Sequence, residues 1–271
     1  MVKSYDVVIV GGGIVGLAIA RELKHRDSSR TIAIIDKEPE LGLHASGRNS
    51  GVLHSGIYYP PDSLKARFCS DGARELKAYC DEHSLPIDRC GKVIVATREA
   101  DDPQLDVLAS RAQANGARAE VIDASGLAEI EPEARTASGR ALFVPDTSVV
   151  DPKRIVLHLA AVLHETGVDI LTGSPVTAAG SSHVVVGQEK IAFGIAVNAA
   201  GLQADRIARM FGVGERYTML PFKGIYYRVA ENSPVNTRRL IYRVPDMRVP
   251  FLGVHFTKMT NGATYVGPTA I

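Results

Sequence analysis

A glycine-rich turn between a strand and a helix is the feature that most constrains the fold of this chain. The hydrophobic run Tyr5–Val10 leads into Gly11, Gly13 and Gly16 in G-x-G-x-x-G spacing, and small apolar residues then begin a helix. In such a turn Gly11 makes the tight bend, Gly13 lets the backbone approach a pyrophosphate, and Gly16 lets the helix pack against the strand. The helix N-terminus adds free N–H groups and partial positive charge. The sequence therefore predicts a dinucleotide-binding βαβ unit.

A second strand and an acidic residue follow at the distance that this unit requires. The mainly aliphatic run Thr31–Ile35 ends at Asp36, about 20 residues beyond Gly16. An acid in this position accepts hydrogen bonds from the ribose hydroxyls of a dinucleotide. A glycine-rich turn without a ligand is the alternative. It explains less, because strand, glycines, helix, strand and acid occur here in the complete order.

Composition restricts the classes of partner and the location. The 271 residues are enough for two domains, and 45% hydrophobic with 23% charged residues is typical of a globular protein. The formal net charge of +1 gives no reason to expect a nucleic acid partner. No signal peptide or transmembrane segment is evident, since the first apolar run is the glycine-interrupted strand. The three cysteines lack metal-ligand spacing, so we expect no metal site and a cytoplasmic protein with reduced thiols.

Hydrophobic periodicity and capping residues predict further helices and strands. The predicted helices are 62–83 with Asp62 as the N-cap, 101–115, 123–133, 152–166 and 202–211. The predicted strands are 92–97, 168–171, 176–178, 183–187, 190–193, a separate buried strand at 194–198, 224–229, 240–242 and 251–256.

This order predicts an α/β chain with two interleaved domains. Residues 1–90 and 145–215 would form a Rossmann-like nucleotide-binding domain. Residues 91–144 and 216–271 would form a β-rich α+β domain for the substrate. In open α/β sheets ligands bind beyond the carboxyl ends of the parallel strands, which is where the glycine turn is expected.

A longer pattern resembles a known family. The loop Gly47–Tyr59, followed by Ser63–Cys69, resembles the flavin loop of the L-2-hydroxyglutarate dehydrogenases and oxidases, members of the FAD-dependent D-amino-acid oxidase superfamily. Three later stretches agree in order, and they are Asn198–Asp205, Pro221–Tyr227 and Pro250–Thr257. The resemblance covers essentially the whole chain. It departs at Arg243, where the family has proline, and at Ile271, beyond which family members continue, so the substrate domain is expected to be truncated.

The resemblance implies a Rossmann-like FAD-binding domain and a flavin-dependent oxidation. The expected reaction converts L-2-hydroxyglutarate, or a similar 2-hydroxy acid, to the 2-oxo acid by hydride transfer to flavin N5. Oxygen or a membrane quinone would then reoxidise the flavin. The expected location is cytoplasmic, with peripheral attachment to the inner membrane as an alternative. Two other functions stay open, and they are a flavin amine or amino-acid oxidase of the same fold and a truncated, non-catalytic nucleotide-binding remnant.

Two histidines are candidates for the proton acceptor in this reaction. Imidazole suits that role because its reference pKa lies near neutrality. His54 lies in the glycine-punctuated flavin loop and is the first candidate, although it could instead only hydrogen-bond the loop or the flavin. His255 follows because its position between Val254 and Phe256 in a predicted strand directs it away from both neighbours, into a cavity or into solvent.

A dicarboxylate substrate requires positive charges and hydroxyl donors. Lys223 is the first candidate, since it lies in a family-like segment. The hydroxyl donors would be Tyr58, Tyr226 and Tyr242. Further candidate cations are Arg48, Arg228, Arg243 and Arg248.

The resemblance and the glycine motif together assign the cofactor residues. Pyrophosphate contacts are expected at Gly11, Gly13, Ile14, Val15 and Gly16. Asp36 and Lys37 would bind the adenosine ribose, and Val176 would pair with adenine through its backbone. The remaining contacts to the phosphates or the flavin are expected at Ser46, Arg48, Asn49, Ser50, Ala200 and Gly201.

Overall fold

The chain forms two compact units, each assembled from two separate segments. The structure is a computed structural model, and it describes residues 3–246 and 253–270. The first unit combines the residues up to Asn49 with Pro152–Pro221, and the second combines Ser50–Asp151 with the residues from Phe222 onward. The prediction of an α/β chain with interleaved domains is therefore confirmed.

The helices and strands are numbered in chain order. The helices are α1 Ile14–Arg26, α2 Leu64–Glu82, α3 Asp102–Ala114, α4 Ala124–Ile130, α5 Pro152–Glu165 and α6 Ala204–Met210. The strands are β1 Lys3–Val10, β2 Ile32–Ile35, β3 Val52–Leu53, β4 Ile87–Asp88, β5 Lys92–Val95, β6 Glu120–Asp123, β7 Arg140–Val144, β8 Ser148–Val150, β9 Asp169–Leu171, β10 Val176–Ala179, β11 His183–Val186, β12 Glu189–Asn198, β13 Gly224–Arg228, β14 Leu240–Arg243, β15 His255–Lys258 and β16 Thr264–Ala270.

The first unit is a sheet with helices on both faces. Its strand order is β10-β11-β12-β1-β2-β9, and β1 runs parallel to both β2 and β12. Side chains alternate along β1, so Ile9 faces α1 while Val8 and Val10 join a cluster with Ile207 of α6. Both faces of β1 are covered, which explains why its second half is an uninterrupted aliphatic run.

The second unit contains a seven-stranded sheet and a small three-stranded sheet. The larger sheet has the order β13-β16-β15-β14-β5-β7-β6, and the smaller has the order β3-β8-β4. On one face of the large sheet, Ile94 of β5 and Tyr242 of β14 pack with Leu105 and Leu108 of α3. On the other face, Val93 packs with residues of α4 and β15. The first residue of β5, Lys92, is completely buried.

Several element boundaries differ from the prediction. Residues 190–198 are one strand, β12, rather than two, and Ile195 is exposed rather than buried. The N-cap of α2 is Ser63 and not Asp62, because the Ser63 hydroxyl accepts a hydrogen bond from the N–H of Ala66 at 3.1 Å. Residues 251 and 252 of the predicted strand 251–256 lie outside the described residues. Strands β3, β4, β6, β7, β8 and β16 were not predicted.

Residues 50–90 belong to the second unit, whereas the predicted boundary placed them in the first. The reason is strand pairing, since β3 and β4 both pair antiparallel with β8.

Within the described ranges, no helix has the length and apolar character needed to cross a membrane.

Candidate functional site

The glycine turn of the first unit has the close contacts that only glycine allows. Gly11 adopts φ +113°, and a Cβ there would lie 2.3 Å from the carbonyl oxygen of Ala199. A Cβ on Gly16 would lie 2.0 Å from the carbonyl oxygen of Gly11, which is the close helix–strand approach that the sequence predicts. Gly13 differs, since its φ is −76° and its Cβ would meet only the side chain of Ser46, with Oγ at 2.9 Å. Gly11 and Gly16 are therefore required by the fold itself, while Gly13 keeps space open beside the helix.

Ser46 supplies a hydroxyl at the first turn of α1. Its Oγ accepts a hydrogen bond from the N–H of Ile14 at 3.0 Å. The Asn49 amide closes the local loop by donating to the carbonyl oxygens of Ala45 and Ser46. Of the predicted loop residues, Ser46 thus reaches the helix N-terminus, which is an environment that favours a phosphate.

Asp36 holds the glycine turn as well as lying where a ribose is expected. Its two carboxylate oxygens accept hydrogen bonds from the N–H groups of Gly12 at 2.7 Å and Glu38 at 2.9 Å. Next to it, Lys37 forms an ion pair with Glu38, and the resulting charge and hydrogen bond lower the pKa of that carboxyl group. His44 Nε2 lies 2.7 Å from the same Glu38 carboxylate.

These residues line a groove of about 580 Å³ within the first unit. The predicted cofactor residues that line it are Gly11, Gly13, Ile14, Val15, Asp36, Lys37, Ser46, Asn49, Val176, Ala200 and Gly201. The other three predicted cofactor residues do not line the groove. Gly16 packs against the glycine turn, Arg48 is exposed, and Ser50 belongs to the second unit. The sequence analysis did not select Arg206 of α6, which also lines the groove. Its exposed position on a short helix gives no local signal of such a role.

We expect Asp36→Ala to weaken FAD binding by about one to two decades, without changing which substrate is preferred. The carboxylate would accept hydrogen bonds from the adenosine ribose, and hydrogen bonds to a charged acceptor contribute roughly 1.5–3 kcal/mol. The measurement is FAD titration of the apoprotein. Asp36→Asn is the matched control, since it keeps an acceptor oxygen and should lose less affinity. A normal FAD dissociation constant in Asp36→Ala would show that Asp36 holds the glycine turn but does not bind the cofactor.

The second unit contains a cluster of histidine, tyrosine and lysine side chains, called here the Lys92 cluster. Its members are His54, Tyr58, Lys92, Tyr242 and His255. The Lys92 Nζ donates a hydrogen bond to the Tyr58 hydroxyl at 3.1 Å. It also lies 4.4 Å from the ring centroid of Tyr58 and 5.1 Å from that of Tyr242.

The two histidines contact the same tyrosine ring from different directions. His255 stacks on Tyr242 with the ring centroids 3.9 Å apart, and His54 lies edge-on to Tyr242 at 6.0 Å. His255 Nδ1 lies 2.8 Å from the carbonyl oxygen of Gly253. A carbonyl only accepts, so Nδ1 carries the proton and Nε2 keeps its lone pair. The buried Nδ1 of His54 has no hydrogen-bond partner among residues 3–246 and 253–270.

Burial governs the protonation of this cluster. Desolvation lowers the pKa of His54 to about 3, and the nearby charges of Lys92 and His255 act in the same direction. Desolvation also lowers the pKa of His255, although the bond to Gly253 partly opposes it. The pKa of Lys92 falls to about 7 for the same reason. Both histidines are consequently neutral at pH 7, and burial favours the neutral form of the lysine as well.

The other predicted substrate residues are distributed around the second unit. The Tyr226 ring lies 6.4 Å from that of His255, so it adjoins the Lys92 cluster. Lys223 is exposed immediately before β13. Arg228 is paired with Glu231 at 2.8 Å. Arg248 lies outside the described residues. Of the residues predicted for catalysis and substrate binding, the structure therefore brings together His54, Tyr58, Tyr242 and His255.

Lys92 itself was missed by the sequence analysis, which read it only as the start of a strand. In an alternating pattern a lysine at a strand end is normally exposed. The available signal was its place beside Gly91 in a strand whose other residues are all aliphatic.

We expect the stability of the protein, relative to its Lys92→Met variant, to rise with pH. The pKa of Lys92 is about 7 in the folded state and near 10.4 when unfolded, so the folded state binds fewer protons between these values. The loss of unfolding free energy caused by the buried ammonium is greatest below about pH 7 and decreases as the pH rises. The difference in unfolding free energy should change by about 1.4 kcal/mol per pH unit between about pH 7.5 and 9.5.

Urea unfolding at several pH values provides the measurement. Lys190→Met, which removes an exposed lysine of β12, is the control and should follow the wild-type curve. Parallel curves for the wild type and Lys92→Met would contradict the assignment of a depressed pKa.

Comparison with known proteins identifies similar sequences over almost the entire chain. The family model described as FAD dependent oxidoreductase matches residues 6–271. The chain is 40% identical over 278 residues to the mitochondrial L-2-hydroxyglutarate dehydrogenase of Caenorhabditis elegans, covering 99% of this chain and 64% of that protein. It is 37% identical over 273 residues to the L-2-hydroxyglutarate dehydrogenase of Escherichia coli K12, covering 98% and 64%. The chain thus spans slightly less than two thirds of the length of these curated relatives.

Solved structures with the same fold include two oxidases. One is the L-α-glycerophosphate oxidase of Mycoplasma pneumoniae with FAD bound, with a TM-score of 0.84, 25% identity, and coverage of 99% of this chain and 72% of that one. The other is the glycine oxidase of Geobacillus kaustophilus, with a TM-score of 0.84, 21% identity and the same coverage. The second likeness supports the fold alone.

Proposed function

Since this chain belongs to the FAD-dependent oxidoreductase family, we propose that it oxidises L-2-hydroxyglutarate, or a similar short 2-hydroxy acid, to the 2-oxo acid. The observation that carries the proposal is the 37–40% identity to L-2-hydroxyglutarate dehydrogenases over 98–99% of the chain. The Lys92 cluster agrees with it, because it combines neutral imidazoles with hydroxyl donors and a buried cation.

The groove of the first unit fits the dinucleotide part of FAD. A Cβ at Gly13 would enter the space beside the Ser46 hydroxyl, at the start of α1, where the pyrophosphate would bind. The ribose would bind near Asp36, and Val176 would face the adenine. When bound, the flavin supplies a hydride acceptor at N5.

The chain's own residues would bind the substrate and hold its hydroxyl proton. We assign the acceptor role to a histidine, with His255 Nε2 and His54 as the two candidates. His255 has the better-defined orientation, because its Nδ1–H donates to Gly253 and leaves Nε2 as an acceptor. Removing the proton from the hydroxyl lets the α-carbon release hydride as the carbonyl forms. Tyr58, Tyr226, Tyr242 and Lys223 are the candidates for binding the substrate carboxylates.

Oxygen and a membrane quinone are the two candidate electron acceptors. With oxygen as acceptor the protein would act as an oxidase, and with a quinone it would act as a dehydrogenase. Cytoplasmic location suits either acceptor, provided that the protein attaches peripherally to the inner membrane in the second case.

The visible spectrum and one anaerobic titration test the proposal. The purified or FAD-reconstituted protein should show flavin absorption bands, and L-2-hydroxyglutarate should bleach them in the absence of oxygen. D-2-hydroxyglutarate is the stereochemical control, and glycine tests for an amino-acid oxidase. If glycine bleaches the flavin and L-2-hydroxyglutarate does not, the protein is an amine oxidase and the proposed reaction is wrong. A colourless protein that cannot be reconstituted would identify a non-catalytic remnant.

A further inference from the structure

Lys92 is a completely buried cation, and the described residues offer it no carboxylate partner. Among the described residues, its only hydrogen-bond partner is the Tyr58 hydroxyl at 3.1 Å. The rings of Tyr58 and Tyr242 face its Nζ and provide cation–π attraction. The neighbouring titratable groups are His54, Tyr58 and Cys69 from the loop and helix α2, Tyr242 from β14, His255 from β15, and Tyr226 beyond His255.

Burying an ammonium group without an anion lowers stability, and an apolar side chain of similar length would pack there at less cost. Burial lowers the pKa of both neighbouring histidines and raises the pKa of the neighbouring tyrosines and of the Cys69 thiol, so none of these groups carries charge at pH 7. When Lys92 is protonated, the Lys92 cluster therefore has a positive potential, and no anionic side chain among the described residues balances it. An anionic ligand would complement it.

Tyr58 connects the buried cation to a ligand. A charged Lys92 can only donate, so the Tyr58 oxygen must accept from it, and the Tyr58 hydrogen is then free to donate elsewhere. A neutral Lys92 has a lone pair, which can accept the Tyr58 hydrogen instead. Protonation of Lys92 thus converts Tyr58 into a donor for a ligand. The unpartnered Nδ1 of His54 lies in the same cluster, with its ring centroid 6.0 Å from that of Tyr58.

We propose that Lys92 is a positioning residue for a substrate carboxylate, which binds to the Tyr58 hydroxyl while Lys92 takes up a proton. This inference rests on the proposed function, since it names how that substrate is held. The proton comes from solvent and goes to Nζ, and no covalent bond to the ligand forms. With the pKa of Lys92 near 7 in the free protein, the lysine is mostly neutral at pH 8. A bound carboxylate raises that pKa, so binding at pH 8 consumes close to one proton.

Calorimetric titration of the FAD-loaded protein with glutarate tests this proposal. Glutarate carries two carboxylates and no hydroxyl, so it cannot be oxidised as a 2-hydroxy acid. Titrations in two buffers of different ionisation enthalpy give the number of protons taken up. We expect uptake close to one proton at pH 8 and close to none at pH 6.

Two variants make the test specific. Lys92→Met should bind glutarate about ten- to a hundredfold more weakly and take up no proton at pH 8. Its melting temperature should be unchanged or higher, which separates a role in binding from a merely structural one. Tyr58→Phe should also bind glutarate more weakly. Lys65→Met, which removes an exposed lysine of α2, should match the wild type.

Undiminished proton uptake or glutarate affinity in Lys92→Met would overturn the assignment, as would a wild-type protein that does not bind glutarate. Failure of the proposed function is a different result. If L-2-hydroxyglutarate does not reduce the flavin but glutarate binds with Lys92-dependent proton uptake, the carboxylate site stands and the reaction does not. If L-2-hydroxyglutarate reduces the flavin but glutarate binding is independent of Lys92, the proposed reaction stands and the role assigned to Lys92 does not.

Discussion

Gly13→Val is expected to yield a folded protein that retains no FAD. The backbone at Gly13 has φ −76°, which valine adopts without strain, and the nearest obstacle is the movable hydroxyl of Ser46 at 2.9 Å from the new Cβ. The branched side chain would displace that hydroxyl and fill the space beside the N-terminus of α1. The pyrophosphate requires this space, so binding is lost while the sheet and helix remain.

The flavin-to-protein absorbance ratio after purification and reconstitution measures this effect, and circular dichroism reports the fold. Gly72→Val is the matched control, since it makes the same change on an exposed helix position with open space around the new Cβ. Gly11→Val would not be informative, because its Cβ would collide with the Ala199 backbone and disturb the fold directly. Stoichiometric flavin in Gly13→Val would show that the pyrophosphate binds elsewhere.

Replacing the true proton acceptor by alanine is expected to slow flavin reduction by about 10²–10⁴-fold. His255→Ala and His54→Ala are therefore compared, each loaded with FAD and mixed with L-2-hydroxyglutarate in an anaerobic stopped-flow instrument. The variant lacking the acceptor should lose rate, while its spectral dissociation constant for the substrate changes much less. A histidine that only anchors the flavin should instead lose FAD or shift the absorption bands.

The pH dependence of the limiting reduction rate distinguishes the two histidines further. The acceptor must be unprotonated, and the pKa of each histidine is lowered, so the rate should be constant at neutral pH and fall only in acid. For His54 the fall would occur near pH 3, and for His255 it would occur below the usual 6.5. Near-normal rates in both flavin-loaded variants would remove histidine from the mechanism.

The parts of the fold that were predicted correctly are those encoded locally. The glycine turn, helix α1 and strand β2 follow each other along the chain, and each has its own capping or periodic signal. Helix α5 likewise begins at Pro152, as the pattern Asp151–Pro152 indicates. Local signals also identified most of the groove, because Gly13 and Asp36 belong to the same βαβ unit near the start of the chain.

The features that escaped prediction depend on contacts between distant segments. Strands β3 and β4 have two residues each and are defined only by pairing with β8, so no periodicity reveals them. Lys92 is buried because β14 and the loop before α2 cover it, and neither is near it in sequence. The pKa values of the cluster arise from that burial, which the sequence analysis could not take into account when it placed His54 first and His255 second.

The position of β1 at the centre of its sheet has a consequence for synthesis on the ribosome. One edge of β1 pairs with β2, which follows closely, but the other edge pairs with β12, which begins at Glu189. At about 5–20 residues per second, roughly 10–40 s separate the emergence of these two strands. During that interval the backbone N–H and C=O groups on this edge of β1 lack their partners, and such an edge can pair with another nascent chain. The central position of β1, which leads into the glycine turn of the nucleotide groove, therefore also creates a period of vulnerability to aggregation, in which a chaperone that binds nascent chains would be of most use.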